Sequence, residues 1–159
     1  MIFVAVGTQK FQLNRLLKQI DILIQNNIIK ESVFAQIGHS DYCPKYYKFI
    51  DFLPKDEFDA MVDECNLLIT HSGVGTIISG LNRNKKIIVY PRLAKYKEHI
   101  DDHQLEIAKA FSEMKYVILC KENDELEELI EISRTYGFEK YCSQREKVVS
   151  SIRGYLKSI

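Results

Sequence analysis

Neither sign of charge prevails in this 159-residue chain: 22 Lys and Arg balance 22 Asp and Glu, for a formal net charge of zero. No global field therefore draws it to nucleic acid or to an anionic membrane, and a nucleic-acid role would need a local basic patch. No C-x-x-C pair occurs among the four cysteines, Cys43, Cys65, Cys120 and Cys142. Their wide spacing argues against zinc, and the expected state is reduced, mostly buried thiols. No basic leader opens the chain, and the first apolar run, Ile2 to Val6, is far too short for a signal core or a membrane span. Internal repeats, low-complexity runs and Gly/Pro clusters between segments are also missing. The expectation is one cytosolic domain over residues 1–140, large enough to bury a core without disulfide or metal staples, followed by a C-terminal helix over 141–159.

What is present is a steady alternation of short apolar runs with amphipathic stretches. Ile2 to Val6, Val33 to Ile37, Leu67 to Thr70, Lys86 to Tyr90 and Tyr116 to Cys120 read as buried parallel strands, and Tyr46 to Leu53 as a short edge strand. Between them, Leu13, Leu16, Leu17, Ile20 and Leu23 recur at spacings of three and four, as do Phe58, Met61, Val62 and Cys65, then Leu105, Ala108 and Phe111. Leu126, Leu129 and Ile130 mark one more helix, whose run of Glu and Asp reads as a solvated face. Ser143 to Glu146 has the form of a capping box, and Val148, Val149, Ile152 and Leu156 make the last helix amphipathic, ready to dock on its own domain or on a partner. Strand–helix alternation of this kind predicts an α/β fold, a Rossmann-like doubly wound parallel sheet.

In such a sheet ligands lie beyond the carboxyl ends of the strands, near the point where strand order reverses. Three loops should meet there: Gly7 to Phe11, His71 to Thr76, and Arg92 to Gln104. The second is the most telling. An apolar strand breaks into His71-Ser72-Gly73-Val74-Gly75-Thr76 and restarts as a helix, so unpaired amide groups and the positive end of the helix dipole favour a phosphate or carboxylate. The plainer alternative is a strand-to-helix turn with no ligand. Gly7 and Thr8 add backbone donors and a hydroxyl. Arg92, Lys95, Lys97, His99 and His103 bring positive or hydrogen-bonding groups to the same edge.

Taken together, Val6-Gly7-Thr8, His71 to Thr76, Lys86 to Arg92 and Glu98-His99-Ile100-Asp101-Asp102-His103-Gln104 resemble, in order and spacing, the donor-binding subunit of split GT-B glycosyltransferases. The likeness extends to the C-terminal domain of glycosyltransferase family 28 and to two-component transferases of N-glycan, capsule and exopolysaccharide assembly, and it covers roughly residues 1–110. It implies half of a GT-B fold that binds a UDP-sugar and passes a hexose, with inversion, to a lipid-linked saccharide acceptor. A membrane-anchored acceptor-binding subunit would be the partner, with this chain peripheral at the inner face of the membrane. No metal or other cofactor would be required, since helix amides and the Arg92 to Gln104 loop would stabilise the departing diphosphate. By the same likeness Gly7, Thr8, His71, Ser72, Gly73, Gly75, Thr76, Ser79, Arg92, Asp102, His103 and Gln104 would contact the donor. Glu98 and His99 would be catalytic, unless the general base lies on the partner. One departure stands out: where the family often has a ribose-binding acid, this chain has Ser79, which cannot bridge two hydroxyls as a carboxylate does.

Plainer readings accompany several of these residues. His71 can equally be a satisfied histidine closing the turn. His99 and His103, four apart, would chelate a metal only if both lay on one helix, and His99 is expected to precede it. Tyr42, Tyr46 and Tyr47 fit a stacking surface or an amphipathic edge strand, and Lys95 and Lys97 fit a solvated loop. Two other function classes are compatible with the sequence: a non-catalytic enhancer of a partner glycosyltransferase and a nucleotide-binding sensor.

Overall fold

In the computed structural model the described residues are 1–143; the C-terminal helix expected from the sequence beyond Ser143 lies outside them. Among these residues six parallel strands form one sheet: β1 (Ile2–Ala5), β2 (Val33–Gln36), β3 (Lys48–Ile50), β4 (Leu67–Thr70), β5 (Lys86–Val89) and β6 (Ile118–Leu119). Their spatial order is β3-β2-β1-β4-β5-β6. β1 is the pivot: Ile2 is in register with Val33 on one side and Leu67 on the other. The sheet is thus doubly wound, with its order reversing between β1 and β4.

Because successive side chains of a strand point to opposite faces, the continuous apolar runs feed two cores. Ile2, Val4, Ile69 and Ile88 pack on one face with Leu16, Leu17 and Ile20 of α1 (Asn14–Gln25) and with Leu126 and Ile130 of α5 (Leu126–Thr135). Phe3, Leu68, Ile87 and Val89 pack on the other, against Val62 of α2 (Lys55–Glu64), Ile77 and Leu81 of α3 (Val74–Asn82) and Ala108 of α4 (His103–Glu113). Each such side chain contributes about 1.5–3 kcal/mol by leaving water.

The edge strand is shorter than Tyr46 to Leu53, and all three of its residues are exposed. The preceding segment is held by a buried carboxylate, Asp21, which accepts from Tyr42 Oη (2.7 Å) and from the Lys45 and Tyr46 amides (2.8 and 2.9 Å). The cysteines are all free, but only Cys65, just after α2, and Cys120, just after β6, are buried, packed in the two cores; Cys43 and Cys142 are exposed. Ahead of and at the start of β5, Lys85 Nζ donates to the carbonyls of Asp63 and Cys65 at the end of α2, and Lys86 Nζ to that of Arg134.

Replacing Ile69, fully buried in the central strand β4, by Ala should remove about 2–5 kcal/mol of stability. Urea unfolding should show a lower midpoint at an unchanged slope.

Candidate functional site

The carboxyl ends of β1 and β4 are tied together by one cluster. Thr70 Oγ1 donates to the Ala5 carbonyl at 2.6 Å across the strand pair. The same carbonyl and the Thr70 hydroxyl lie 3.4 and 3.3 Å from His71 Nδ1. With its hydrogen spent on Ala5, Thr70 Oγ1 can only accept from the ring, so Nδ1 carries the proton and Nε2 is left as an acceptor. The imidazole is wedged between Gly7 and Gly73: a Cβ at either glycine would intrude on the ring. Gly7 also has φ +81°, and a Cβ on Gly38 (φ +57°) would strike the Gly7 carbonyl, so these backbones meet where only glycine fits.

Burial holds the His71 pKa down to about 4, with the Arg92 charge adding to the effect. At neutral pH the ring is therefore uncharged, a structural wedge that still lines the cleft.

That cleft has a volume of about 600 Å³ and lies over the switch point. One wall is the start of α3. Gly73, its N-cap, supplies no side-chain cap, and the first turn contains no acidic residue, so the positive helix end and the amides of Val74, Gly75 and Thr76 are left for an anion. Gly75 has nothing within 4 Å of where a Cβ would sit. Nearby, the Ser72 hydroxyl is buried without a hydrogen-bond partner. Gly7, Thr8 and Gln9 form a second wall. The third comes from β2, α2 and the segment between β3 and α2: Gln36, Leu53, Lys55, Phe58 and Asp59, with Ser79 of α3 adjoining Asp59 through Arg83.

Of the expected site residues, Gly7, Thr8, His71, Gly73, Gly75, Thr76 and Ser79 meet at this cleft. The loop after β5 departs from expectation. Arg92 does not offer its charge to the cleft: it is fully buried, with Nη2 donating to the Val6 and Phe11 carbonyls (2.5 and 3.0 Å) and Nε and Nη1 unpartnered. Desolvation lowers its pKa to about 10, which leaves it a cation beneath the first loop. Glu98 is also fully buried, which corrects the expectation that it reaches the reacting groups. Its carboxylate accepts from Arg15 Nε and Nη2 (3.0 and 2.9 Å) and from the Leu93 amide (3.0 Å). Gln104 is buried too, its Oε1 3.4 Å from the Arg92 amide nitrogen. Asp102 accepts from the Ala94 amide, and His103 is exposed beside Glu106. His99 precedes α4, so the two histidines do not share a helix face; its ring packs on Phe11 with centroids 4.8 Å apart. Among the described residues no three His, Cys, Asp or Glu side chains gather as metal ligands.

Sequence reading missed Arg15, Lys55 and Asp59. The Arg15 guanidinium lies against the rings of Tyr90 (4.4 Å) and Tyr96 (4.8 Å) and bonds the Pro91 carbonyl. Lys55 and Asp59 lie at charged positions of α2, bonded to each other one turn apart. Their signal was positional: α2 follows the edge strand and starts at the carboxyl end of the sheet.

The model of the glycosyltransferase family 28 C-terminal domain matches residues 1–151. A UDP-N-acetylglucosamine transferase subunit ALG13 of Candida albicans is 32% identical over 71 residues, 45% of this chain and 23% of that protein. The mouse protein of the same name is 23% identical over 125 residues, 74% of this chain and 10% of its own length. The chain therefore spans under a quarter of these relatives. Among solved structures, that of ALG13 superposes with a TM-score of 0.57 at 20% identity over 89% of both chains. Acinetobacter baumannii MurG gives 0.55 at 16% identity, over 83% of this chain and 40% of that one. These likenesses show a Rossmann-like fold shared with GT-B glycosyltransferases.

The depressed His71 pKa gives a sign to the pH dependence. Between pH 6.5 and 4 the unfolded chain binds a proton there that the folded chain does not, so stability should fall as pH drops through this window. The His71 share is roughly 3 kcal/mol. Urea titrations should show a shallower pH slope for His71→Gln than for the parent, and NMR titration of the ring should place its midpoint near 4.

Proposed function

The chain belongs to the glycosyltransferase family 28 C-terminal domain family, and from that premise we propose that it is the donor-binding subunit of a two-component transferase. It takes a UDP-hexose, with UDP-N-acetylglucosamine the first choice given its named relatives. The observation that carries this reading is the uncapped, acid-free start of α3 facing Gly7 and Thr8 across the cleft. Amides on both sides suit a diphosphate, while Leu53 and Phe58 at the other wall suit the flat face of a base.

In this proposal the α3 amides and the buried Arg92 charge stabilise the diphosphate as it departs, which is electrostatic catalysis that needs no resident metal. Glu98 acts through Arg15, fixing the loop that presents His99 at the rim. The acceptor half, including the general base, comes from a membrane-anchored partner subunit with a lipid-linked saccharide in capsule or exopolysaccharide synthesis. The chain itself is then cytoplasmic and peripheral. Among the described residues no helix is long and apolar enough to cross a membrane.

Calorimetry with UDP tests the donor site, and Gly75→Val isolates it. Open space around Gly75 and the low helix propensity of Gly predict an unchanged or higher Tm. UDP affinity should nevertheless fall by more than about tenfold as the side chain occupies the anion position. Tighter binding of another nucleotide would point to a sensor. Co-expressed with its partner, His99→Ala should lower kcat about tenfold or more with the complex intact; unchanged turnover would make the chain an enhancer only.

A further inference from the structure

On the reading that the cleft holds a nucleoside diphosphate, its middle section must meet the ribose, because the diphosphate and base ends are assigned to opposite walls. Asp59 follows Phe58 on α2, and Ser79 lies one turn beyond Thr76 on α3; both line the cleft. They are joined by one guanidinium. Arg83 Nη2 lies 3.0 Å from Asp59 Oδ1, and Arg83 Nη1 donates to Ser79 Oγ at 2.8 Å and to the Ser79 carbonyl at 3.2 Å. Arg83 Nε is anchored in turn on Asp63 at 2.9 Å. Lys55 Nζ donates to the second Asp59 oxygen at 2.7 Å.

We propose that Asp59, supplied by α2 and oriented by Arg83 and Lys55, is the carboxylate that recognises the ribose hydroxyls in this chain, with the Ser79 hydroxyl as its companion. A carboxylate has about four acceptor positions, so two cationic donors leave room for a vicinal diol. Lys55 and Arg83 also hold Asp59 ionised, with its pKa below the usual range. Ser79 Oγ already accepts from Arg83, which turns its own hydrogen outward as a donor. Acceptor and donor thus stand side by side, as a pair of hydroxyls requires. The acid that α3 does not provide is brought in from the neighbouring helix.

The test compares UDP with 2′,3′-dideoxy-UDP by calorimetry on the full chain and on Asp59→Ala and Asp59→Asn. The parent should bind UDP about tenfold more tightly than the dideoxy analogue. Asp59→Ala should lose that preference through weaker UDP binding, with dideoxy-UDP affinity unchanged, and Asp59→Asn should lie between. Asp59→Ala/Ser79→Glu should recover the preference. Equal loss for both ligands in the variants, or a preference that survives Asp59→Ala, overturns the proposal and leaves the donor site standing. Failure of the parent to bind UDP overturns both.

Discussion

An imidazole held between two glycines is the contact on which the site depends. His71 stands at the end of β4, and its ring fills the space left by the missing side chains of Gly7 and Gly73. Thr70 and Ala5 fix the ring from below, across the pairing of β1 with β4. The two central strands of the sheet therefore dictate the separation between the first loop and the helix start. Any ligand spanning Gly7 and Gly75 meets walls already set by the core. Burial keeps the ring neutral at pH 7, so this wedge adds no fixed charge; the lasting positive charge comes from Arg92 beneath the loop.

That Arg92 acts from below alters the electrostatic picture of the cleft. A buried guanidinium with two nitrogens unpartnered is costly by itself. It is tolerated here because Nη2 bonds two carbonyls and Glu98 lies near enough to favour its charge. The field it projects is felt at His71, which lines the cleft, while the Arg92 side chain itself stays out of it. Glu98, committed to Arg15, orders the loop rather than touching a ligand.

The architecture was largely legible because it rests on continuous apolar runs in the strands and apolar stripes on the helices, which a linear pattern records. Gly7, His71 and Gly73 to Thr76 were legible for a related reason: small residues at the end of a buried strand have few other uses. The loop after β5 was not. Arg92, Glu98 and Gln104 have the same chemical character whether they face a ligand or the protein, and only the tertiary packing decides which: Arg92 turns to the Val6 and Phe11 carbonyls, Glu98 to Arg15 and Gln104 to the Arg92 amide. Asp59 escaped for the opposite reason. Its neighbours on α2 are ordinary charged helix residues, and the orientation of its carboxylate depends on Arg83, which is distant in sequence.

The Arg15 hub also sets how the rim can move. Its guanidinium is lodged between two tyrosine rings and shares both carboxylate oxygens of Glu98, so the loop carrying His99 is fastened to α1 through this one side chain, beside the loop's contacts with Gln12, Phe11 and Glu122. Small excursions of such a fastening lose hydrogen-bond geometry and ring contact together, with nothing gained until the side chain is free. Releasing the rim would therefore give up contacts made by the first helix, so the restraint on the loop is an attribute of α1 as much as of the loop itself.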